Sequence, residues 1–132
     1  MGVWTIGIGN MTIRPQVDEK LIKEYIEFSN TCFPKAYGDE EFLNTWFFDE
    51  NNKLFSIEGK FAEPSVWYQH ISEKFFEPKG YKLEGKMTIL GECEKGYDEA
   101  CQISREKYYQ WKERIQNYDL HNRRLPRRFY EI

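Results

Sequence analysis

The sequence contains few of the residues from which catalytic, metal and disulfide sites are usually built. Its two histidines, His70 and His121, are far apart, and its three cysteines, Cys32, Cys93 and Cys101, show no Cys-x-x-Cys spacing. These patterns match no usual set of metal ligands, and an odd number of cysteines predicts reduced thiols. We therefore expect no metal, no cofactor and a cytoplasmic location.

The chain also lacks a long apolar run and is poor in small apolar residues. No run approaches the roughly 18 residues of a membrane-spanning helix, and the first ten residues, MGVWTIGIGN, match neither a signal peptide nor a myristoylation signal. Alanine and valine occur three times each, whereas aromatic residues make up 17% of the chain. We expect a soluble protein packed mainly by aromatic side chains, with some of them left for a partner.

The charge of the chain is unevenly distributed. The chain has 19 Lys and Arg against 22 Asp and Glu, a net charge of −3 over 132 residues. Residues 121–132 contain one acid, Glu131, and four arginines: Arg123, Arg124, Arg127 and Arg128. Residues 1–120 therefore keep 15 basic and 21 acidic side chains, a net charge of −6. The length and the charge predict one domain over residues 1–120 and a basic tail over residues 121–132.

The first third of the chain predicts a strand and then a helix. Residues 3–13 are mostly apolar or β-branched, and Arg14-Pro15 ends the run, which predicts a single strand. From Val17 onward, apolar residues recur every three or four positions up to Cys32. This spacing predicts a helix, with acidic residues in its first turn.

The remainder of the chain predicts a hairpin, a helix, a strand and a last helix. NTWFFDENNKLFSIEGKF predicts a β-hairpin, and the segment from Pro64 to Gly80 predicts a helix. YKLEGKMTIL, residues 81–90, predicts a strand; residues 104–118 predict a helix, and residues 97–103 fit either a strand or a helix. The order β-α-β-β-α-β predicts a ferredoxin-like α+β fold: an antiparallel sheet with two helices on one face, followed by a C-terminal helix.

The motif Gly7-Ile8-Gly9 resembles part of a phosphate-binding loop. The dinucleotide fingerprint needs a third glycine, where this chain has Thr12, and a helix that begins at once. Both are missing, so the structural interpretation is favoured. In a strand the two glycines face the same side, and we expect a large neighbour such as Trp46 or Trp67 to lie over them.

The remaining candidate chemistry rests on carboxylates and one thiol. Two carboxyl groups could form an acid–base pair, although charged residues at a sheet edge more often deter strand pairing. The acidic side chains considered for this pair are Glu58, Glu63, Glu84, Glu92, Glu94 and Asp98. A nucleophilic pair of Cys93 and His70 is the other alternative, weighed against a buried thiol and an ordinary helix-face histidine. No residue is assigned a catalytic role; the candidate interaction residues are Glu58, Glu84, Glu92 and the four tail arginines.

Residues 63–92 resemble the ferredoxin-like domains of small phage- and plasmid-encoded proteins. In those domains a helix with a tryptophan leads through a turn into a Gly-Tyr-x-Leu-x-Gly strand followed by Gly-Glu. The matching positions are Trp67, Gly80, Tyr81, Leu83, Gly85, Gly91 and Glu92. The resemblance implies a fold and a mobile-element setting, and it carries over no catalytic residue.

Two functions of different classes follow from these observations. The first is a non-enzymatic protein-binding module, such as an anti-CRISPR-like inhibitor of a host defence system or nuclease, or an immunity-type protein. Its acidic body would complement a basic channel on the target. The alternative is nucleic-acid binding through the tail arginines and the aromatic residues of the sheet, although LFSIEGKF lacks the RNA-recognition signature. A small-molecule enzyme would need a pocket where the carboxylates or Cys93 converge.

Overall fold

A computed structural model describes residues 4–9, 11–34, 44–60 and 64–117, and these residues form a mixed α+β fold. The strands are β1 (Trp4–Gly9), β2 (Met11–Arg14), β3 (Trp46–Phe48), β4 (Lys53–Ser56), β5 (Gly59–Lys60), β6 (Lys82–Glu84) and β7 (Met87–Gly91). The helices are α1 (Glu19–Thr31), α2 (Pro64–Ile71) and α3 (Tyr97–Asn117). The basic tail predicted over residues 121–132 lies outside the described residues.

The strands form two antiparallel sheets, and each of three segments of the chain contributes one strand to each sheet. One sheet has the order β5-β1-β7 and the other the order β3-β4-β2-β6. Only residue 10 separates β1 from β2, so the strand predicted over residues 3–13 is divided between the sheets. The strand predicted over residues 81–90 is divided in the same way, at Gly85 and Lys86, where Gly85 has φ +130°. The prediction of two unbroken strands was therefore wrong, and in the second of them the break falls where Gly85 has a φ that glycine allows.

The predicted hairpin is confirmed by the pairing of β3 with β4. Phe47 lies opposite Phe55 in the register. The carboxylate of Asp49 organises the turn by accepting hydrogen bonds from the backbone N–H groups of Asn51 and Lys53, at 2.9 and 3.0 Å. This is the local bonding that makes Asp a frequent turn residue.

The predicted helices are confirmed, with shifted ends. Asp18 caps α1 by accepting a hydrogen bond from the N–H of Leu21 at 2.8 Å. The helical segment that begins with α2 continues as a π-helix over residues 72–76 and a 3₁₀ turn over residues 77–79. It ends at Gly80, which has φ +84°. Helix α3 includes residues 97–103, which settles the segment that the sequence left open.

The helices cover both faces of the strands. Ile6 and Gly7 are neighbours in β1 and therefore face opposite sides. Gly7 lies against the indole of Trp46, whose ring centroid is 5.7 Å from that of Tyr68 in α2. Ile6 packs instead with residues of α3 in a second core cluster. The start of α3 therefore lies on the face of β1 opposite to Trp46 and α2, whereas Tyr108 and Trp111, further along α3, belong to the main core.

The core is built mainly from aromatic side chains. Those that are almost fully buried are Trp46, Trp67, Trp111, Tyr25, Tyr108, Phe47, Phe48, Phe75 and Phe76. By contrast, Ile103 and Tyr109 are the exposed large apolar side chains within the described ranges. The aromatic surplus of the sequence is thus used mostly for packing, as expected.

A buried polar network joins α1 to the start of β3. The hydroxyl of Tyr25 donates to the carbonyl of Trp46 at 2.6 Å and accepts from the side-chain amide of Asn44 at 2.7 Å. That amide also donates to Ser29 at 3.0 Å, and the Asn44 carbonyl oxygen accepts from the N–H of Trp46. Burial raises the pKa of Tyr25 far above its ordinary value, so the hydroxyl stays protonated.

Replacing Asn44 with alanine is expected to lower the free energy of unfolding by about 1–3 kcal/mol, because it leaves buried polar groups of Ser29 and Trp46 without this partner. Urea denaturation followed by circular dichroism would measure the change. Asn51→Ala, on the exposed turn, is the matched control and should change stability by less than about 0.5 kcal/mol. Equal effects of the two substitutions would contradict the structural role of the network.

Candidate binding site

An open groove of about 410 Å³ lies between the strands and the first half of α3. Its floor is formed by residues 7–9 of β1 together with Phe55 and Leu90. Its wall on α3 is formed by Ala100, Ile103 and Ser104. We call this feature the sheet–helix groove. Ile103 is 47% exposed, so the groove opens to solvent along this rim.

The groove exists because small residues separate two well-packed regions of α3. Towards the start of α3, Tyr97 and Cys101 pack with Ile6, and towards its end Tyr108 and Trp111 join the main core. Beside these contacts α3 presents Ala100 and Ser104 to the groove, and on β1 Gly7 and Gly9 flank Ile8. Ala100 packs against the Ile6 cluster, but neither Ala100 nor Ser104 is long enough to fill the space that the groove occupies.

The rim of the groove carries three charged side chains: Lys95, Glu99 and Lys107. The Lys107 ammonium lies 3.4 Å from a carboxylate oxygen of Asp49 and 5.8 Å from the centre of the Phe55 ring. Lys95 is exposed in the turn before α3, and the described residues contain no ion-pair partner within 4 Å of it. Asp49 thus offsets the charge of Lys107, and Lys95 is the rim cation left without an ion-pair partner among the described residues.

Next to the groove, three residues of α3 converge on one carboxylate. Glu58 accepts hydrogen bonds from the Tyr97 hydroxyl at 2.9 Å and the Cys101 thiol at 3.4 Å. Its other oxygen pairs with Arg105 at 3.0 Å. The three donors are four residues apart and share one helix face. Glu58, a predicted interaction residue, therefore fixes α3 to the connection between β4 and β5.

The surroundings of Cys101 keep its thiol protonated. Burial, followed by the hydrogen bond to Glu58, raises the pKa of Cys101 to about 11. The same two causes raise the pKa of Tyr97. Since the thiolate is the nucleophilic form, this cluster holds the helix in place and is not suited to nucleophilic catalysis.

Cys93 and Cys101 are expected to react with iodoacetamide at very different rates at pH 8. Cys93 is exposed and Cys101 is buried, and the raised pKa alone lowers the thiolate fraction of Cys101 about 100-fold relative to an ordinary thiol. Mass spectrometry of quenched time points would give the rate at each site. Labelling after unfolding in urea is the control and should equalise the rates. Equal rates in the folded protein would contradict the placement of Cys101.

The same pKa shift has a defined effect on stability at alkaline pH. The folded state holds its Cys101 proton up to about pH 11, whereas an unfolded thiol releases its proton near 9.0. The stabilisation from this group is therefore complete below pH 9 and is lost as the pH rises through about 11.

The other predicted carboxylates lie at separate positions. Glu84 pairs with Arg14 at 3.0 Å on an exposed surface of the second sheet. Glu92 is exposed, and its backbone N–H donates to the carbonyl of Trp4. Glu94 accepts a hydrogen bond from the Gly91 N–H at 3.0 Å. The carboxylates of Glu84 and Glu94 have local partners, and none of the contacts found within the described ranges joins two of these acids as an acid–base pair.

The predicted residues Glu63, Arg123, Arg124, Arg127 and Arg128 lie outside the described residues. Asp98 is exposed in the first turn of α3, where the helix dipole favours an acid.

His70 is half-buried, and its neighbours are residues other than the proposed partner Cys93. Its Nε2 lies 3.0 Å from the carbonyl oxygen of Cys32, and its ring contacts those of Phe28 and Trp67. Burial is the main cause that lowers the pKa of His70. Cys93 lies in the exposed turn between β7 and α3. The structure therefore favours the interpretation of His70 as a packed helix-face histidine.

Residues 4–9, 11–34, 44–60 and 64–117 contain no cluster of three or more His, Cys, Asp or Glu side chains placed to hold a metal ion. The same ranges contain no helix that is long and apolar enough to cross a membrane. Comparison with protein-family models, curated proteins and solved structures finds no match for this chain.

Sequence reasoning missed Lys95, Ile103 and Lys107 as candidate site residues. A signal was present, since Ala100 and Ser104 are small residues four positions apart on a helix that also carries the buried aromatic side chains Tyr97, Tyr108 and Trp111. Placing them opposite Gly7-Ile8-Gly9 requires the tertiary fold.

Proposed function

We propose that this chain is a protein-binding module whose partner docks in the sheet–helix groove. The observation that carries the proposal is an apolar floor, formed by Ile8, Phe55 and Leu90, beside the exposed side chain of Ile103. Apolar side chains next to a charged rim are typical of interaction surfaces. Binding without chemistry also suits a groove in which the nearest thiol, Cys101, is held protonated.

A protein partner suits this groove better than a small molecule. Small-molecule sites usually enclose about 70–90% of their ligand. Here Gly9 and Ile103 are exposed at the boundary of the groove, so a small ligand would remain largely in water. A side chain anchored by a larger partner would gain contacts from the surrounding surface as well.

Site-specific photo-crosslinking tests the proposal. A photoreactive amino acid at position 103 is expected to give a discrete adduct with a partner protein in the cells that naturally make this chain. The same amino acid at position 73, an exposed site in the π-helical turn, is the control and should give none. The absence of an adduct at position 103, or equal adducts at both positions, would rule out docking in the groove.

The alternative of nucleic-acid binding has lost part of its support. Trp46, Phe47, Phe48 and Phe55 are buried, so these strand aromatics are not presented to stack on bases. Binding through the tail arginines stays a prediction. Salt-dependent binding of single-stranded RNA that disappears on removal of residues 121–132 would support it.

We also propose the ferredoxin-like topology for this chain. Its support is the order of neighbours: β1 and β2 lie between β4–β5 on one side and β6–β7 on the other, and β3 lies outside β4. When β1–β2, β3, β4–β5 and β6–β7 are counted as the first, second, third and fourth strands, their order across the sheet is fourth, first, third, second. This order is expected when two split β-α-β units interleave. The cytoplasmic location and the anti-CRISPR-like or immunity-type role stay predictions.

A further inference from the structure

The groove offers two kinds of contact within one site. Its floor is apolar at Ile8 and Leu90, and the Phe55 ring lies beneath Lys107. An occupant therefore needs an apolar group that replaces water over this floor.

The charged side chains at the rim determine which polar group the occupant carries beside its apolar group. Lys95 and Lys107 outnumber Glu99, and Asp49 already pairs with Lys107 at 3.4 Å. Lys95 is thus the cation best placed to receive an anionic group. A carboxylate next to Lys95 would gain an electrostatic attraction that an uncharged or basic group would not.

We infer that the partner segment that enters the sheet–helix groove carries an apolar side chain directly beside a carboxylate. This inference rests on the proposed function and specifies the chemistry of the partner. The apolar side chain covers Ile8 and Leu90, and the carboxylate pairs with Lys95. This site chemistry differs from the expectation of an acidic body that binds a basic channel, since the groove itself selects an acidic segment.

Nuclear magnetic resonance titration of the full ¹⁵N-labelled chain tests the inference with three blocked peptides: acetyl-Gly-Phe-Glu-amide, acetyl-Gly-Phe-Gln-amide and acetyl-Gly-Phe-Lys-amide. We expect the Glu peptide to shift the amide signals of residues lining the groove. We also expect it to bind about threefold to tenfold more tightly than the Gln peptide, with the Lys peptide weakest.

Two charge reversals provide matched variants. Lys95→Glu should remove the preference for the Glu peptide, whereas Lys74→Glu makes the same change in net charge in the helical segment after α2 and should leave the preference intact. Ile103→Ser should weaken all three peptides, because it removes apolar contact at the rim without changing charge. Circular dichroism would verify that each variant is folded.

Equal binding of the Glu and Gln peptides, or shifts outside the groove, would overturn the inference. If phenylacetate bound as tightly as the Glu peptide, the occupant would be a free small carboxylate and the inference of a partner segment would be wrong. The proposed function fails separately: it is refuted when position 103 gives no crosslinked partner. If the crosslink at position 103 formed equally well in the Lys95→Glu variant, and the Glu peptide bound no more tightly than the Gln peptide, only the inferred carboxylate of the partner segment would be refuted.

Discussion

Replacing Trp46 with alanine is expected to lower the free energy of unfolding by about 3–5 kcal/mol. The Trp46 side chain is fully buried, and its ring lies against Gly7 and Tyr68. Its indole N–H also donates to the carbonyl of Pro64 at 2.7 Å, so the substitution removes a hydrogen bond at the start of α2 as well as a large apolar volume. Urea denaturation followed by circular dichroism would measure the loss.

Two further variants separate the parts of this effect. Trp46→Phe keeps most of the ring volume but removes the donor to Pro64, so its loss of stability should be smaller than that of Trp46→Ala. Tyr109→Ala removes an aromatic ring that is 51% exposed and should change stability by less than about 0.5 kcal/mol. A loss for Trp46→Ala no greater than that for Tyr109→Ala would show that the Trp46 ring is not part of the core.

Replacing Gly7 with alanine is expected to lower the free energy of unfolding by about 1–3 kcal/mol. A Cβ atom at this position would lie 2.5 Å from the Cη2 atom of Trp46, well inside van der Waals contact. The ring has little freedom to move away, because the Pro64 hydrogen bond and the Tyr68 contact hold it. The same denaturation measurement would give the change.

The control for Gly7→Ala is Gly91→Ala in the neighbouring strand β7. A Cβ atom at Gly91 would meet only the flexible carboxylate of Glu94, at 3.4 Å, so little loss is expected. In the Trp46→Phe background the cost of Gly7→Ala should fall, since the clashing atoms are gone, and the difference measures the coupling of the two sites. Strictly additive effects would argue against contact between Gly7 and Trp46.

The glycine motif was the most informative short pattern in the sequence. Period-two alternation placed Gly7 and Gly9 on one side of a strand, and the expectation of a large neighbour is confirmed at Gly7 by Trp46. At Gly9 the neighbour is backbone instead: a Cβ atom there would come impossibly close to the carbonyl oxygen of Lys86. The alternation is a local property of the chain, whereas the bend that brings Lys86 to β1 depends on the positive φ of Gly85.

The start of α3 was harder to predict because its buried side is only weakly apolar. Residues 97, 101, 104, 108, 111 and 115 form one buried helical stripe. Tyr97, Cys101 and Ser104 occupy the first half of that stripe, and the mixed polar and apolar residues of DEACQIS fit either a strand or a helix. The packing of Tyr97 and Cys101 against Ile6 favours the helix, and this contact between distant segments cannot be predicted from the local sequence.

The candidate site was predictable only in part. Glu58 was singled out by its place among acidic residues, yet its partners Tyr97, Cys101 and Arg105 are 39, 43 and 47 positions away in the chain. Glu84 and Glu92 looked equivalent in the sequence but lie in other surroundings. Side chains from distant segments meet through the tertiary fold, so the sequence predicts the types of residue present more readily than the way in which they are grouped.

Three donors of α3 converge on Glu58, a residue that lies next to the groove but does not line it. Its bonds fix the face of α3 next to the wall formed by Ala100, Ile103 and Ser104. Loss of this one carboxylate would release three bonds of α3 at once without altering any residue that lines the groove.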